Sequence, residues 1–127
     1  MQQDSFVFDE AEKAALEALP VPLGVYHARD GLYRMVLVSD GLCKLCGIER
    51  SKLMLDFNND HGCFIYPEDR ELLAADEAYA YLHPEEGFKG TYRINLRNHW
   101  SWLSADGKSR QLADHSWLFY VTYADVS

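Results

Sequence analysis

The sequence is poor in the features that mark membrane, secreted or nucleic-acid-binding chains. No segment approaches the roughly 18 consecutive apolar residues of a membrane span. Met1-Gln2-Gln3-Asp4 opens without the basic and then apolar stretches of a secretory signal. Cysteine is scarce and odd in number, at three, whereas a disulfide framework wants pairs; a reducing cytoplasm is the compartment this suggests. Basic residues form no run, and 12 Lys and Arg stand against 20 Asp and Glu, a formal net charge of -8. Such a surface repels phosphate backbones, so neither nucleic acid nor a membrane surface is an expected partner. A chain of 127 residues is too short for a TIM barrel or a two-domain dehydrogenase. There is no internal repeat and no low-complexity tract. What the chain does have is aromatic bulk: eight Tyr, six Phe and three Trp. That much apolar area excludes disorder and suits one compact domain.

Asp9 to Leu19 reads as a short helix, capped by Asp9 and stopped by Pro20 and Pro22, with Phe8, Ala11, Ala15 and Leu19 on one stripe. Leu23 to Ala28 and Tyr33 to Val38 read as strands joined by the turn Arg29-Asp30-Gly31. Asp40 caps a brief helix that Gly47 ends, and a further helical turn follows at Lys52 to Leu55. Asn58 to Gly62 has the composition of a loop. Pro67 opens the longest predicted helix, with Leu72, Ala75, Tyr79 and Leu82 as its buried stripe. Its acids, Glu68, Asp69, Glu71, Asp76 and Glu77, form a solvated face near the positive end of the dipole. The last third alternates as strands: Tyr92-Ile94-Leu96, Trp100-Trp102, and Trp117-Phe119-Val121-Tyr123. Segregated runs of strands and helices of this kind indicate an α+β fold with an antiparallel sheet.

In this order the pieces resemble a PAS domain, the sensory module found before GGDEF (diguanylate cyclase), EAL and histidine kinase domains. The resemblance runs from about Leu16 to Ser127. Ala18 through Tyr26 is similar to the family's lead into its first strand, and Ser39 through Gly47 to its short helix closing in glycine. Ile65-Tyr66-Pro67-Glu68-Asp69-Arg70 resembles the opening of its long helix, Tyr92-Arg93-Ile94 its third strand and Trp102 the Trp of its fourth. Tyr123-Ala124-Asp125-Val126-Ser127 resembles its terminal Asp-Ile-Thr element. The resemblance implies a five-stranded antiparallel sheet with helices packed on one face. Asp106-Gly107 read alone is a hairpin turn; the resemblance instead puts Gly107 inside the fourth strand and moves the turn to Asp114-His115-Ser116. Residues 1–19 become a flanking helix and 20–127 the sensor domain. A cavity between sheet and helices would be lined by Leu45, Phe64, Tyr79, Tyr92, Ile94, Trp102, Phe119 and Val121. The alternative reading of the same residues is a filled core.

The residues that could carry chemistry are few. Cys43-Lys44-Leu45-Cys46, with His61 and Cys63 downstream, has zinc-ligand types, but the pair sits on a predicted helix and reads as buried thiols. Cys63 falls near the reactive cysteine of the family's flavin-binding light sensors, yet Gly62-Cys63-Phe64-Ile65 lacks the flanking Asn, Arg and Gln of their motif. His83, at the end of the long helix beside Pro84, is poorly placed as a haem ligand, and His27, His99 and His115 fall in strands or turns. No Ser-His-Asp arrangement, phosphate-cradling glycine loop or metalloprotease helix is present. The resemblance therefore implies a non-catalytic module that binds a small molecule, dimerises through the Asp9 to Leu19 helix, and passes a change through Asp125, Val126 and Ser127 to a C-terminal output domain. A small acid/base enzyme is the alternative; it requires a His and a carboxylate converging in the cavity. A pure dimerisation module with a filled core is a third.

Overall fold

The computed structural model describes residues 6–126. Alternation of apolar and polar residues, broken by turns, builds β1 (Leu23–Arg29), β2 (Leu32–Val38), β3 (Phe88–Leu96), β4 (His99–Gln111) and β5 (Trp117–Asp125). All pair antiparallel in one sheet of order β2-β1-β5-β4-β3. The last strand is thus the central one. The β1–β2 turn places Asp30 and Gly31 at φ of 54° and 80°, the left-handed pair that a two-residue hairpin requires. Gly107 lies within β4, between Phe88 and Val121, and the chain reverses at 113–115. A Cβ at Gly107 would fall 2.9 Å from the Val121 side chain, so close approach, not a bulge, explains this glycine.

Among the described residues four α-helices accompany the sheet: α1 (Glu10–Glu17), α2 (Asp40–Cys46), α3 (Arg50–Asn59) and α4 (Arg70–Leu82). Those from α2 to α4 cover one face of the sheet. Tyr26, Met35, Tyr92, Leu103, Phe119 and Val121 form the core beneath them. The opposite face buries Val25, Leu37 and Leu118 under Phe8, Leu16 and Leu19, so α1 lies against its own sheet. Its stripe differs from the expected one, for Ala11 and Ala15 are exposed and Leu16 takes their place. Asp9 caps it as expected, accepting from the Ala11 and Glu12 amides.

Other boundaries shift for identifiable reasons. Ser39, not Asp40, caps α2. Its fully buried hydroxyl accepts from Leu42 and Leu23 N–H and donates to the Val21 carbonyl, so one side chain ties three segments. Asn58 and Asn59 end α3 instead of opening a loop. The Asn58 amide accepts from Met35 N–H at 2.8 Å and donates to Met35 C=O at 3.0 Å. It thereby satisfies the open edge of β2 at the place where the β1–β2 register shifts. The other edge, β3, is covered by the segment at 64–66. Tyr66 N–H donates to Arg93 C=O and Asn95 N–H to Phe64 C=O. Pro67–Asp69 forms a 3-10 turn, and the α-helix begins only at Arg70.

Candidate functional site

A cavity of about 90 Å³ lies between the sheet and helices α2 to α4. Its wall includes Phe64, Tyr92, Ile94, Phe119 and Val121 of the residues expected there. Three expected residues lie elsewhere. Trp102, on the outward pleat of β4, is 43% exposed with the Arg93 guanidinium 4.9 Å from its ring. Tyr79 is 50% exposed, stacked on His83 at 4.2 Å and bonded to Glu86. Leu45 packs against the core, but Leu42 and Cys46, one turn apart on α2, present to the cavity in its place.

The long helix is turned by one residue from the orientation its apolar pattern predicts. Leu72, Ala75, Tyr79 and Leu82 are exposed, while Leu73 and Ala80 face the sheet. The acids on that side come with them, so the expected solvated acidic face is incomplete. Tyr92 Oη donates to Asp76 Oδ2 at 2.5 Å, and His61 Nε2 lies 2.6 Å from Glu77 Oε2. Tyr33 Oη donates to the Glu77 carbonyl at 2.8 Å. Asp69 is buried, accepting from Arg93 N–H at 2.8 Å and from its guanidinium at 2.7 and 3.0 Å. These donors hold the Asp69 carboxyl below the usual carboxylate range, chiefly through the Arg93 side chain.

Two tyrosines enter the cavity by the same local device. Tyr26 and Tyr92 each follow a glycine by two residues on a strand, and each ring lies back over that glycine. A Cβ at Gly24 would stand 2.6 Å from Tyr26 Oη, and one at Gly90 only 1.9 Å from Tyr92 Oη. Tyr26 Oη so reaches Tyr123 Oη at 2.5 Å, joining β1 to the end of β5. Burial raises the pKa of Tyr26, Tyr33, Tyr92 and Tyr123, so all four stay neutral hydroxyls. Gly24-Val25-Tyr26 and Gly90-Thr91-Tyr92 were visible in the sequence and are the signal that finds them.

Aromatic rings line the Glu77 side of the cavity. Phe57 lies 4.5 Å from His61 and 5.3 Å from Tyr26, and Tyr33 lies 5.4 Å from Phe119. Burial pushes the Cys46 thiol up to about 11, with Cys43 adding to it, so it stays protonated and a poor nucleophile near neutrality. Cys43, Cys46, His61 and Cys63 do not converge; among the described residues no group of three or more His, Cys, Asp or Glu could hold a metal. Cys63 is not on the cavity wall, its thiol donating instead to the Asp56 carbonyl at 3.5 Å. The cavity is well below the roughly 300 Å³ at which ordinary cofactor pockets begin. The residues present therefore do not fit a flavin or a haem.

At the chain's exit, Asp125 pairs with Leu103 and Val126 N–H donates to Trp102 C=O at 2.9 Å, both side chains exposed; Ser127 lies outside the described residues.

No family model matches the chain, and no curated protein matches it in sequence. Solved structures do match over nearly the whole length. A PAS domain from the fruit-fly ELK potassium channel shares 17% identity, with TM-score 0.68, over 95% of this chain and 98% of that one. A light-oxygen-voltage domain solved in a flavin-analogue study shares 13%, with TM-score 0.68, over 94% and 87%. A PAS domain from a two-component sensor histidine kinase shares 8%, with TM-score 0.62, over 91% and 94%. Together with the strand order and the helices α2 to α4 on one face, these likenesses give the chain the PAS fold.

Proposed function

We propose that this domain is a non-catalytic sensory module in which a small molecule in the cavity biases the packing of β5 and so the chain that leaves it. The carrying observation is the Tyr26–Tyr123 hydrogen bond. It spans the cavity wall and ends two residues before Asp125, on the central strand. An occupant that breaks or tightens this bond has different affinities for two arrangements of β5, which is what a switch needs. Asp125, Val126 and Ser127 would then hand the change to an effector domain of diguanylate cyclase or kinase type. One structural neighbour is a PAS domain from a two-component sensor histidine kinase. A dimer through the Asp9 to Leu19 helix belongs to the same proposal. Ala11, Ala14, Ala15 and Ala18 are exposed on α1 while Leu16 and Leu19 pack inward. Light scattering that gives a monomer with and without those residues removes the dimer.

His61 and Glu77 do converge at the cavity, as the enzyme reading requires. Such a pair is an acid/base couple and favours that alternative; the sensory reading is preferred on the sheet order and the likeness to PAS domains. No helix is long and apolar enough to cross a membrane among the described residues. Native mass spectrometry of the purified chain tests the proposal, coupled to amide exchange at 123–126. A retained small molecule whose removal changes exchange there supports it. Exchange at 123–126 that ignores cavity occupancy refutes it.

A further inference from the structure

We propose that the cavity takes a small organic cation, a primary or secondary alkylammonium. This rests on the reading of the cavity as a ligand site and names the class of ligand. Size sets the first limit. A cavity of about 90 Å³ is smaller than the roughly 150 Å³ engineered cavity that binds benzene, so an occupant of about five heavy atoms is expected.

Charge sets the second. No Lys or Arg is among the residues lining the cavity, and its one imidazole, His61, is already taken up by Glu77. Glu77 brings a carboxylate that is four-fifths buried, with Oε2 held by His61. A carboxylate has about four acceptor sites, and an ammonium has up to three donors to fill them. A neutral apolar occupant would instead strip water from that carboxylate and return nothing. The domain's net charge of -8 further favours cations over anions.

The walls add a third argument. Tyr26, Phe57, Tyr33 and Phe119 are linked by ring contacts of 5.3 and 5.4 Å, with His61 4.5 Å from Phe57 and 6.3 Å from Tyr33. The negative faces of aromatic rings attract an ammonium, most strongly when it is desolvated. The alkyl part would meet Met35, Leu73 and Val121. Rings, a carboxylate and an apolar floor occur together here, and only a protonated amine uses all three.

The test is an amide-resolved NMR titration of the intact chain at pH 7 with three compounds of one shape: isobutylamine, isobutanol and isobutyrate. The amine is expected to perturb Phe57, Glu77 and Phe119 and to bind at least tenfold more tightly than the alcohol, with no effect from the acid. Glu77→Gln is expected to weaken the amine at least tenfold and to leave the alcohol within twofold, its melting curve serving as a check on folding. If the alcohol equals the amine, or the acid binds, the cation assignment fails and the cavity remains a ligand site. If none of the three perturbs the cavity residues, or the amine perturbs only surface acids such as Glu10 and Glu12, the ligand-site reading fails with it. The wild-type series decides this whether or not the variant folds.

Discussion

Tyr92 on β3 and Asp76 on α4 share a hydrogen bond of 2.5 Å between sheet and helix, and this bond helps fix which side of the long helix looks inward. The hydroxyl reaches its partner only because Gly90 leaves room for the ring to lie along the strand. Gly90→Ala would put a methyl 1.9 Å from that oxygen and drive the ring from Asp76. The expected cost is about 1–3 kcal/mol, as for other overpacked sites. Urea unfolding measures it, with Gly31→Ala as the contrast: there nothing lies within 4 Å and only the positive φ opposes the side chain. Equal costs at the two sites would show that the Tyr92 ring is not confined.

Asn58 substitutes for a neighbouring strand at the edge of β2. Asn58→Ala leaves Met35 N–H and C=O without their partner and should destabilise the domain by about 1–3 kcal/mol. Asn58→Asp keeps the acceptor for Met35 N–H but loses the donor, so it should be less stable than the wild type as well. Denaturant midpoints decide; an Ala variant as stable as the wild type would mean water serves the edge equally well.

The Asp69–Arg93 pair gives an acid dependence of known sign. The Asp69 carboxyl is lowered in the folded state by the Arg93 hydrogen bonds. Its contribution is therefore fully present above the unfolded carboxylate value, about 3.9, and is lost as pH falls through the lower folded value. Asp114, brought down to about 2 mainly by the Ser116 hydroxyl, acts in the same direction. Asp69→Asn should melt below the wild type at pH 7, and the gap should close as pH drops below the unfolded carboxylate value of about 3.9. A gap that is constant from pH 7 to pH 2.5 would assign the loss to packing alone.

Cys46 gives the opposite sign. Its folded value of about 11 exceeds the roughly 8.5 of a free thiol, so its contribution is complete below 8.5 and lost as pH rises toward 11. At pH 8, iodoacetamide should label Cys46 more slowly than the half-buried Cys43 and Cys63, as read by peptide mass spectrometry. Labelling of Cys46 at the rate of the other two would show that α2 opens readily.

Much of the architecture was legible because strands announce themselves by alternation. Tyr92-Ile94-Leu96 and Phe119-Val121-Tyr123 have the burial their spacing predicts. Trp102 shows the limit of that signal. It alternates with Trp100 as an inward-facing pair would, but pairing with Arg93 places it on the outward pleat. The α4 stripe shows the same limit in a helix. Leu72, Tyr79 and Leu82 make the better apolar row, yet the row that packs is Leu73, Asp76, Glu77 and Ala80.

The local chemistry of the chain thus determined by itself most strands, helices and turns, though not every boundary, since backbone preference and burial period act over a few residues. Tertiary structure alone decided which helix face turns inward. Small Ala80 lets α4 approach the sheet, and the hydroxyl of Tyr92 and the imidazole of His61 give the inward-turned acids partners far away in sequence. A carboxylate with such partners can be buried without the full cost of leaving water, and no count of apolar residues along one helix contains that term.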